Sequence, residues 1–179
     1  MIAPVTYIPK FIEVDYFDVL RRELEFERRD DAPRNEVWMN DYGTEYTYGQ
    51  GAGRRTYKAK SLHPLVRLIQ EKILKYSGVE LDGCFVNGYE NARDWLGWHA
   101  DDSPEIDSRR PIAVVSFGAA RKIQFRLIAD PLSVEEILLE PGSLLLMHPG
   151  MQDTWMHRIP KCGSMVRPRI SLTYRGLIR

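Results

Sequence analysis

Apolar residues at Val14, Phe17, Leu20 and Leu24 recur every three or four positions, with Arg21, Arg22, Glu23 and Glu25 between them. That period predicts an amphipathic helix over 14–26. A second helix is predicted over about 63–76, where Leu65, Leu68, Ile69, Ile73 and Leu74 share a face, Ser61 offers an N-cap and Gly78 a stop. After Gly78 the helical period gives way to short β-rich runs at 84–89, 112–117, 123–128, 136–139, 143–147, 154–159 and 170–177. Residues 118–122 read as a hairpin turn, and Glu140-Pro141-Gly142 as a second turn. The pattern predicts a mainly β protein with flanking α: two N-terminal helices on an antiparallel double sheet, of which the jelly roll is the common closed form.

Between the two helices the chain is neither helical nor a plain linker. Gly43, Gly49, Gly51 and Gly53 alternate with Tyr42, Tyr46, Tyr48 and Tyr57, which reads as a hairpin or lid.

Composition narrows the class. A chain of 179 residues with 44% hydrophobic content is the size of one domain with a sizeable core, so a single domain over 1–179 is expected. The 25 basic and 25 acidic residues cancel, so total charge names no partner. From Arg109 onward, however, 11 Lys or Arg stand against 5 Asp or Glu. Such a half suits a phosphate backbone or an ordinary solvated surface. Cys84 and Cys162 are too few for a disulfide framework, and no segment nears the roughly 20 apolar residues of a membrane span. The expectation is a soluble monomer in the cytoplasm, with no membrane partner.

Candidate chemistry begins at His99-Ala100-Asp101. Two residues separated by one neighbour on a strand edge point the same way and can reach one ion. His157, in a later strand, is the candidate third ligand. Two imidazoles and a carboxylate on one face leave open positions on an octahedral iron(II). Taken alone, the tripeptide reads equally well as a surface His beside a solvated Asp101-Asp102 pair.

A second signal lies in the tail. Alternation puts Arg169, Ser171, Thr173 and Arg175 on one strand face and Ile170, Leu172 and Tyr174 on the other. If the polar face points inward, its guanidinium groups need an anion, and a carboxylate is the natural one. If the strand lies at an edge, the same face is simply solvated.

Several ordered motifs together resemble the AlkB dioxygenases. They are Asn87-Gly88-Tyr89, Trp98-His99-Ala100-Asp101-Asp102, residues 111–119 with Arg121, and residues 142–147. Gln152, Trp155-Met156-His157, Pro160 and the run 168–175 follow in order. The resemblance covers roughly residues 33–179. It implies a double-stranded β-helix, a jelly-roll variant, with 84–179 as its core and 33–60 as a nucleotide-recognition lid. It implies His99, Asp101 and His157 as iron(II) ligands, and Arg169 with Ser171 as the clasp on the distal carboxylate of 2-oxoglutarate. Arg175 and Asn87 would lie near the chelating end, with Tyr89 and Thr173 lining the pocket. The implied reaction is oxidative demethylation of bases in alkylated DNA or RNA with O2, the target base flipped or single-stranded.

Tyr46 and Tyr48 resemble the base-stacking part of that lid, although tyrosines at these positions can equally cover the core beneath. Arg54, Arg55, Lys58 and Lys60 offer phosphate contacts or a solvated loop. Phe26 and Trp38 are candidates for duplex opening, with helix packing the competing account of Phe26. Relatives often carry an acid two positions after the metal aspartate; here Ser103 stands there, which leaves base preference open, with Asp102 or Glu105 as substitutes. His63 and His148 have no partner at ligand spacing and read as structural.

Two other functions compete. A dioxygenase of the same chemistry acting on a protein or small molecule would keep the metal residues but not need the aromatic lid. A non-catalytic jelly roll binding methylated nucleic acid would fail to bind iron.

Overall fold

A computed structural model describes residues 2–29, 32–49, 54–163 and 167–179. Gly51 and Gly53 of the expected hairpin lie outside them. Among these residues, besides a 3-10 turn at Met151–Asp153, twelve strands and two α-helices follow in the order β1 (Val5–Ile8), α1 (Phe17–Glu23), β2 (Asn35–Met39), β3 (Tyr46–Tyr48), β4 (Arg55–Tyr57), α2 (Pro64–Ser77) and β5 (Gly83–Tyr89). Then come β6 (Leu96–His99), β7 (Ile112–Gly118), β8 (Arg121–Leu127), β9 (Val134–Leu139), β10 (Leu144–Met147), β11 (Trp155–Ile159) and β12 (Arg169–Arg175).

They form a six-stranded sheet, β1-β10-β7-β12-β5-β2, a four-stranded sheet, β6-β11-β8-β9, and the hairpin β3-β4, all antiparallel. This is the jelly-roll arrangement the strand pattern anticipated. One apolar cluster, with Tyr89, Phe125, Leu145 and Trp155, fills the space between the sheets. Another joins the outer face of the larger sheet to the helices through Val66, Ile69, Ile73, Leu172 and Tyr174. A third lies under the hairpin, around Trp38, Tyr46, Tyr57 and Phe85. Among the described residues no helix is long and apolar enough to cross a membrane.

Four expectations need correction. The first helix ends at Glu23, not Phe26, because Leu24 turns extended and Glu27 exchanges both backbone hydrogen bonds with Glu36. Strand pairing there outcompetes the continuing helical period. The second helix is capped by His63, whose Nδ1 accepts from Leu65 N, and not by Ser61. Gly78 does end it, at φ 70°. Its buried face is Val66, Ile69 and Ile73, whereas Leu68 and Leu74 are 53% and 42% exposed. Finally, 118–122 is no hairpin: β7 and β8 lie in different sheets, so the connection crosses between them.

Candidate active site

The register of the smaller sheet brings the first two imidazoles together. His157 in β11 sits opposite His99 at the end of β6, with ring centroids 4.1 Å apart. Asp101, two residues beyond His99, turns back toward both. Its Oδ1 lies 3.9 Å from His99 Nε2 and its Oδ2 3.8 Å from His157 Nε2. One ligand atom from each of the three falls within 4.8 Å of the others. The surface-His alternative is thereby excluded, since Asp101 and His157 are buried and His99 nearly so.

The donor set fits a divalent cation. His99 Nδ1 faces the Gly97 carbonyl at 2.8 Å and so carries the proton, leaving the Nε2 lone pair turned to the cluster. Asp101 Oδ2 is buried without a hydrogen-bond partner among the described residues. Burial, reinforced by the neighbouring His99 ring, pulls His157 down to about 3. Burial also lowers His99, against the attraction of Asp101. Burial alone would raise the Asp101 carboxyl, but the Arg175 guanidinium and the two imidazoles outweigh it and hold it below the usual range. Neutral imidazoles beside an ionised carboxylate are the protonation states that metal ligation requires.

The tail strand supplies the rest. β12 lies between β7 and β5, so the solvated-edge reading is overturned. Its apolar face packs under the helices and its polar face turns into the barrel. Arg169 is 1% exposed. Its Nη2 donates to Ser116 Oγ at 2.9 Å, while Nε and Nη1 have no hydrogen-bond partner among the described residues. Burial draws its pKa down to about 10. A buried guanidinium with two unspent donors is a receptor for a carboxylate. The Tyr89 ring lies against it at 5.2 Å and also against the buried Arg121 at 5.4 Å. Ser171 pairs across the sheet with Asn87 and Ser116, and Thr173 follows on the same face.

At the other end of the strand, Arg175 Nη2 donates to Asp101 Oδ1. A small cavity there is lined by Arg175, Asn87, Tyr48, His99, Asp101 and the unforeseen Arg34. Arg34 is buried; its Nε donates to Asn87 Oδ1 at 2.6 Å, and it pairs with the buried Glu36 at 2.8 Å. Tyr57 of the hairpin donates to the other Glu36 oxygen at 2.7 Å. Glu36 thus ties the hairpin to the cavity wall. The available signal was two charges at alternate positions beside the apolar run 37–39, which put them on one strand face.

A groove of about 840 Å³ opens over His99, with Tyr48 and Arg54 on one side and Trp98, Ser103, Gln152 and Met156 among its other walls. Tyr48 meets the His99 ring edge-on at 5.6 Å. Tyr46 does not reach this groove. It is 1% exposed and stacked on Trp38 at 4.9 Å, so the core-covering account holds for it. Trp38 is itself buried, and Phe26 packs beside Gly88, which leaves neither free to open a duplex. Ser103 spends its hydroxyl proton on the Thr47 carbonyl at 2.8 Å. Among the basic residues of the lid, Arg54 faces the groove, Arg55 lies 3.8 Å from Glu36, and Lys60 pairs with Glu25 and Glu27. Gln152 accepts from the backbone N–H of Asp101 at 2.9 Å. His63 serves as a helix cap and His148 bonds to Thr6, both away from the cluster.

The sequence profile of the 2OG-Fe(II) oxygenase superfamily matches residues 20–175. Over 174 residues, 93% of this chain, the sequence is 30% identical to DNA oxidative demethylase ALKBH2 of Mus musculus and spans 71% of that protein. It is 32% identical over 152 residues to Alpha-ketoglutarate-dependent dioxygenase alkB homolog 3 of Homo sapiens, covering 80% of this chain and 51% of that protein. The human ALKBH2 match, at 30% identity, spans 65% of its length. The solved structure of OsALKBH1 superposes with a TM-score of 0.70 at 16% identity, over 98% of each chain, and shares the fold.

Proposed function

Because this chain belongs to the 2OG-Fe(II) oxygenase superfamily and within it to the AlkB dioxygenases, we propose that it removes methyl groups oxidatively from N-alkylated nucleic acid bases. The family's cofactor is iron(II), with 2-oxoglutarate and O2 as cosubstrates. The observation that carries the substrate assignment is that His99, one member of the His99–Asp101–His157 cluster, lines a groove edged by Tyr48, Trp98 and Arg54. An aromatic edge takes a base face and a cation takes its phosphate.

In this reading His99, Asp101 and His157 hold the metal. With 2-oxoglutarate and O2 bound, iron(II) supplies the oxidant that hydroxylates the N-methyl carbon, so that the methyl leaves as formaldehyde and the keto acid as succinate and CO2. The chain's own work is positional. Arg169 receives the distal carboxylate with its unpartnered Nε and Nη1, helped by Ser171. Tyr89 backs that guanidinium, and Thr173 lines the passage toward the metal. Arg175 fixes Oδ1 of Asp101 on the side of His99 and Gln152 its backbone, so that Oδ2 stays turned to His157. Arg34 and Asn87 close the wall behind the chelating end. Tyr48 stands edge-on against the His99 ring at one side of the groove.

A base stacked in a duplex cannot reach His99, so the enzyme takes a flipped or single-stranded target, and it acts as a monomer. The test is incubation with iron(II), ascorbate and 2-oxoglutarate against oligonucleotides carrying 1-methyladenine, 3-methylcytosine or N6-methyladenine. Each removed methyl lowers the oligonucleotide mass by about 14 units. Unchanged masses alongside succinate release would point to a protein or small-molecule substrate instead.

A further inference from the structure

We propose that a second cavity on the outer face of the four-stranded sheet, floored by Trp95 and rimmed by Arg158 and Lys161, binds a nucleotide flanking the target base. This rests on the nucleic-acid reading above and extends it along the strand.

The cavity measures about 330 Å³ and is lined by Trp95, Gly97, Trp98, Arg158, Pro160 and Lys161. Among these lining residues there is no carboxylate, and the two ionised side chains are both cationic. Trp98 lines this cavity and the groove over His99 alike, so the two are neighbours along one wall. A strand whose target base enters the groove can therefore lay a neighbouring nucleotide at this cavity.

The floor is built rather than incidental. Gly97 has no side chain, and a Cβ there would lie 3.1 Å from Cζ3 of Trp95. The glycine lets the indole lie close against β6, yet Trp95 remains 39% exposed. Lys161 Nζ stands 5.6 Å from the Trp95 ring centre. Arg158 and Arg126 lie over the Trp98 ring at 4.5 and 4.3 Å. These contacts hold cations at the margin of an aromatic floor, where cation–π attraction is favourable. Aromatic faces for bases, interleaved with cations for phosphates, are what a single strand requires. Bidentate base-edge readers are not needed, so the contact tolerates any sequence.

The test uses protein loaded with iron(II) and 2-oxoglutarate under anaerobic conditions. Anisotropy of a labelled single-stranded oligonucleotide of about ten nucleotides gives the affinity across a salt series. Trp95→Ala is expected to weaken binding roughly 5- to 150-fold, the range for losing one base–aromatic stack, and Trp95→Phe to restore most of it. Lys161→Ala, at an exposed position, is expected to reduce the slope of log K against log salt by about 0.7, one phosphate contact on a single strand. Affinity and slope unchanged in both alanine variants would overturn the proposal. Wild-type protein that demethylates no methylated oligonucleotide, while binding strands through Trp95, would overturn the demethylase reading and leave this site standing.

Discussion

Arg175 Nη2 donates to Asp101 Oδ1 at 2.7 Å with both side chains more than nine-tenths buried. The pair holds the carboxyl with Oδ1 on the side of His99 and Oδ2 turned toward His157. Arg175→Met should strand a buried carboxylate, at a cost of about 3–5 kcal/mol to the metal-free protein. Iron(II) affinity should fall about 10- to 100-fold, as when other partners that orient a ligand are removed. Arg175→Lys keeps the charge without the planar fork and should fall between. Urea unfolding and anaerobic iron(II) titration measure the two effects separately; an unchanged iron affinity in Arg175→Met would refute the positioning role.

The histidines set the acid limb of stability. In the metal-free fold His157 stays neutral down to about 3, while in the unfolded chain it protonates near its ordinary value of 6.5. Between those values the unfolded chain binds the extra proton, so stability falls as pH drops from 6.5 toward 3 and is flat above. The slope is about 1.4 kcal/mol per pH unit for one such histidine. Asp101 is likewise held below its ordinary value of 3.8, so its stabilisation is complete above that value and begins to be lost only at the acid end of this window. Unfolding of chelator-treated protein from about pH 4.5 to about pH 7.5 should show the slope, and His157→Gln should lose one histidine's share of it.

Two guanidinium nitrogens of Arg169, Nε and Nη1, are buried without a hydrogen-bond partner among the described residues. Charge-assisted hydrogen bonds contribute about 1.5–3 kcal/mol each, so Arg169→Met should raise the Kd for 2-oxoglutarate by at least about tenfold. Arg169→Lys, a point charge on a flexible stem, should recover only part. Since methionine leaves no unpaired charge, folding should survive the change. Calorimetric titration of 2-oxoglutarate into manganese(II)-loaded protein reads the affinity directly, and equal affinities would remove Arg169 from the site.

Much of this site was legible in the chain because β12 alternates strictly: Arg169, Ser171, Thr173 and Arg175 share one face. Whether that face looked inward or outward was not legible, since one strand's alternation is the same at an edge and in the middle of a sheet. Only the pairing of β12 with both β5 and β7 decided it. The strands β1 and β2 escaped notice for a related reason. In β2, Val37–Met39 are buried in sequence, so the period-2 signature is absent and Glu36 looks like a surface charge. The network of Glu36, Arg34 and Tyr57 joins residues up to 23 positions apart and exists only once the hairpin folds over β2. The convergence of His157 on His99 was anticipated from motif order, but the opposed register is a property of the sheet.

Ser103 separates two accounts of specificity. Its hydroxyl donates to the Thr47 carbonyl at 2.8 Å, which clasps the loop beyond Asp101 to strand β3 of the β3–β4 hairpin and leaves that proton unavailable to a base. A neutral hydrogen bond of this kind contributes about 0.5–1.5 kcal/mol. Ser103→Ala should therefore loosen the lid and raise KM for methylated oligonucleotides about 2- to 10-fold, with KM for 2-oxoglutarate unchanged. The ratio of activities on 1-methyladenine and 3-methylcytosine should not move, because both substrates feel the same lid. Ser103→Asp should behave worse than alanine, since an ionised carboxylate facing the Thr47 carbonyl sets acceptor against acceptor. Had Ser103 read the base directly, the alanine variant would shift that ratio and the aspartate would sharpen it. Steady-state kinetics on matched single-lesion oligonucleotides distinguishes the clasp from the reader.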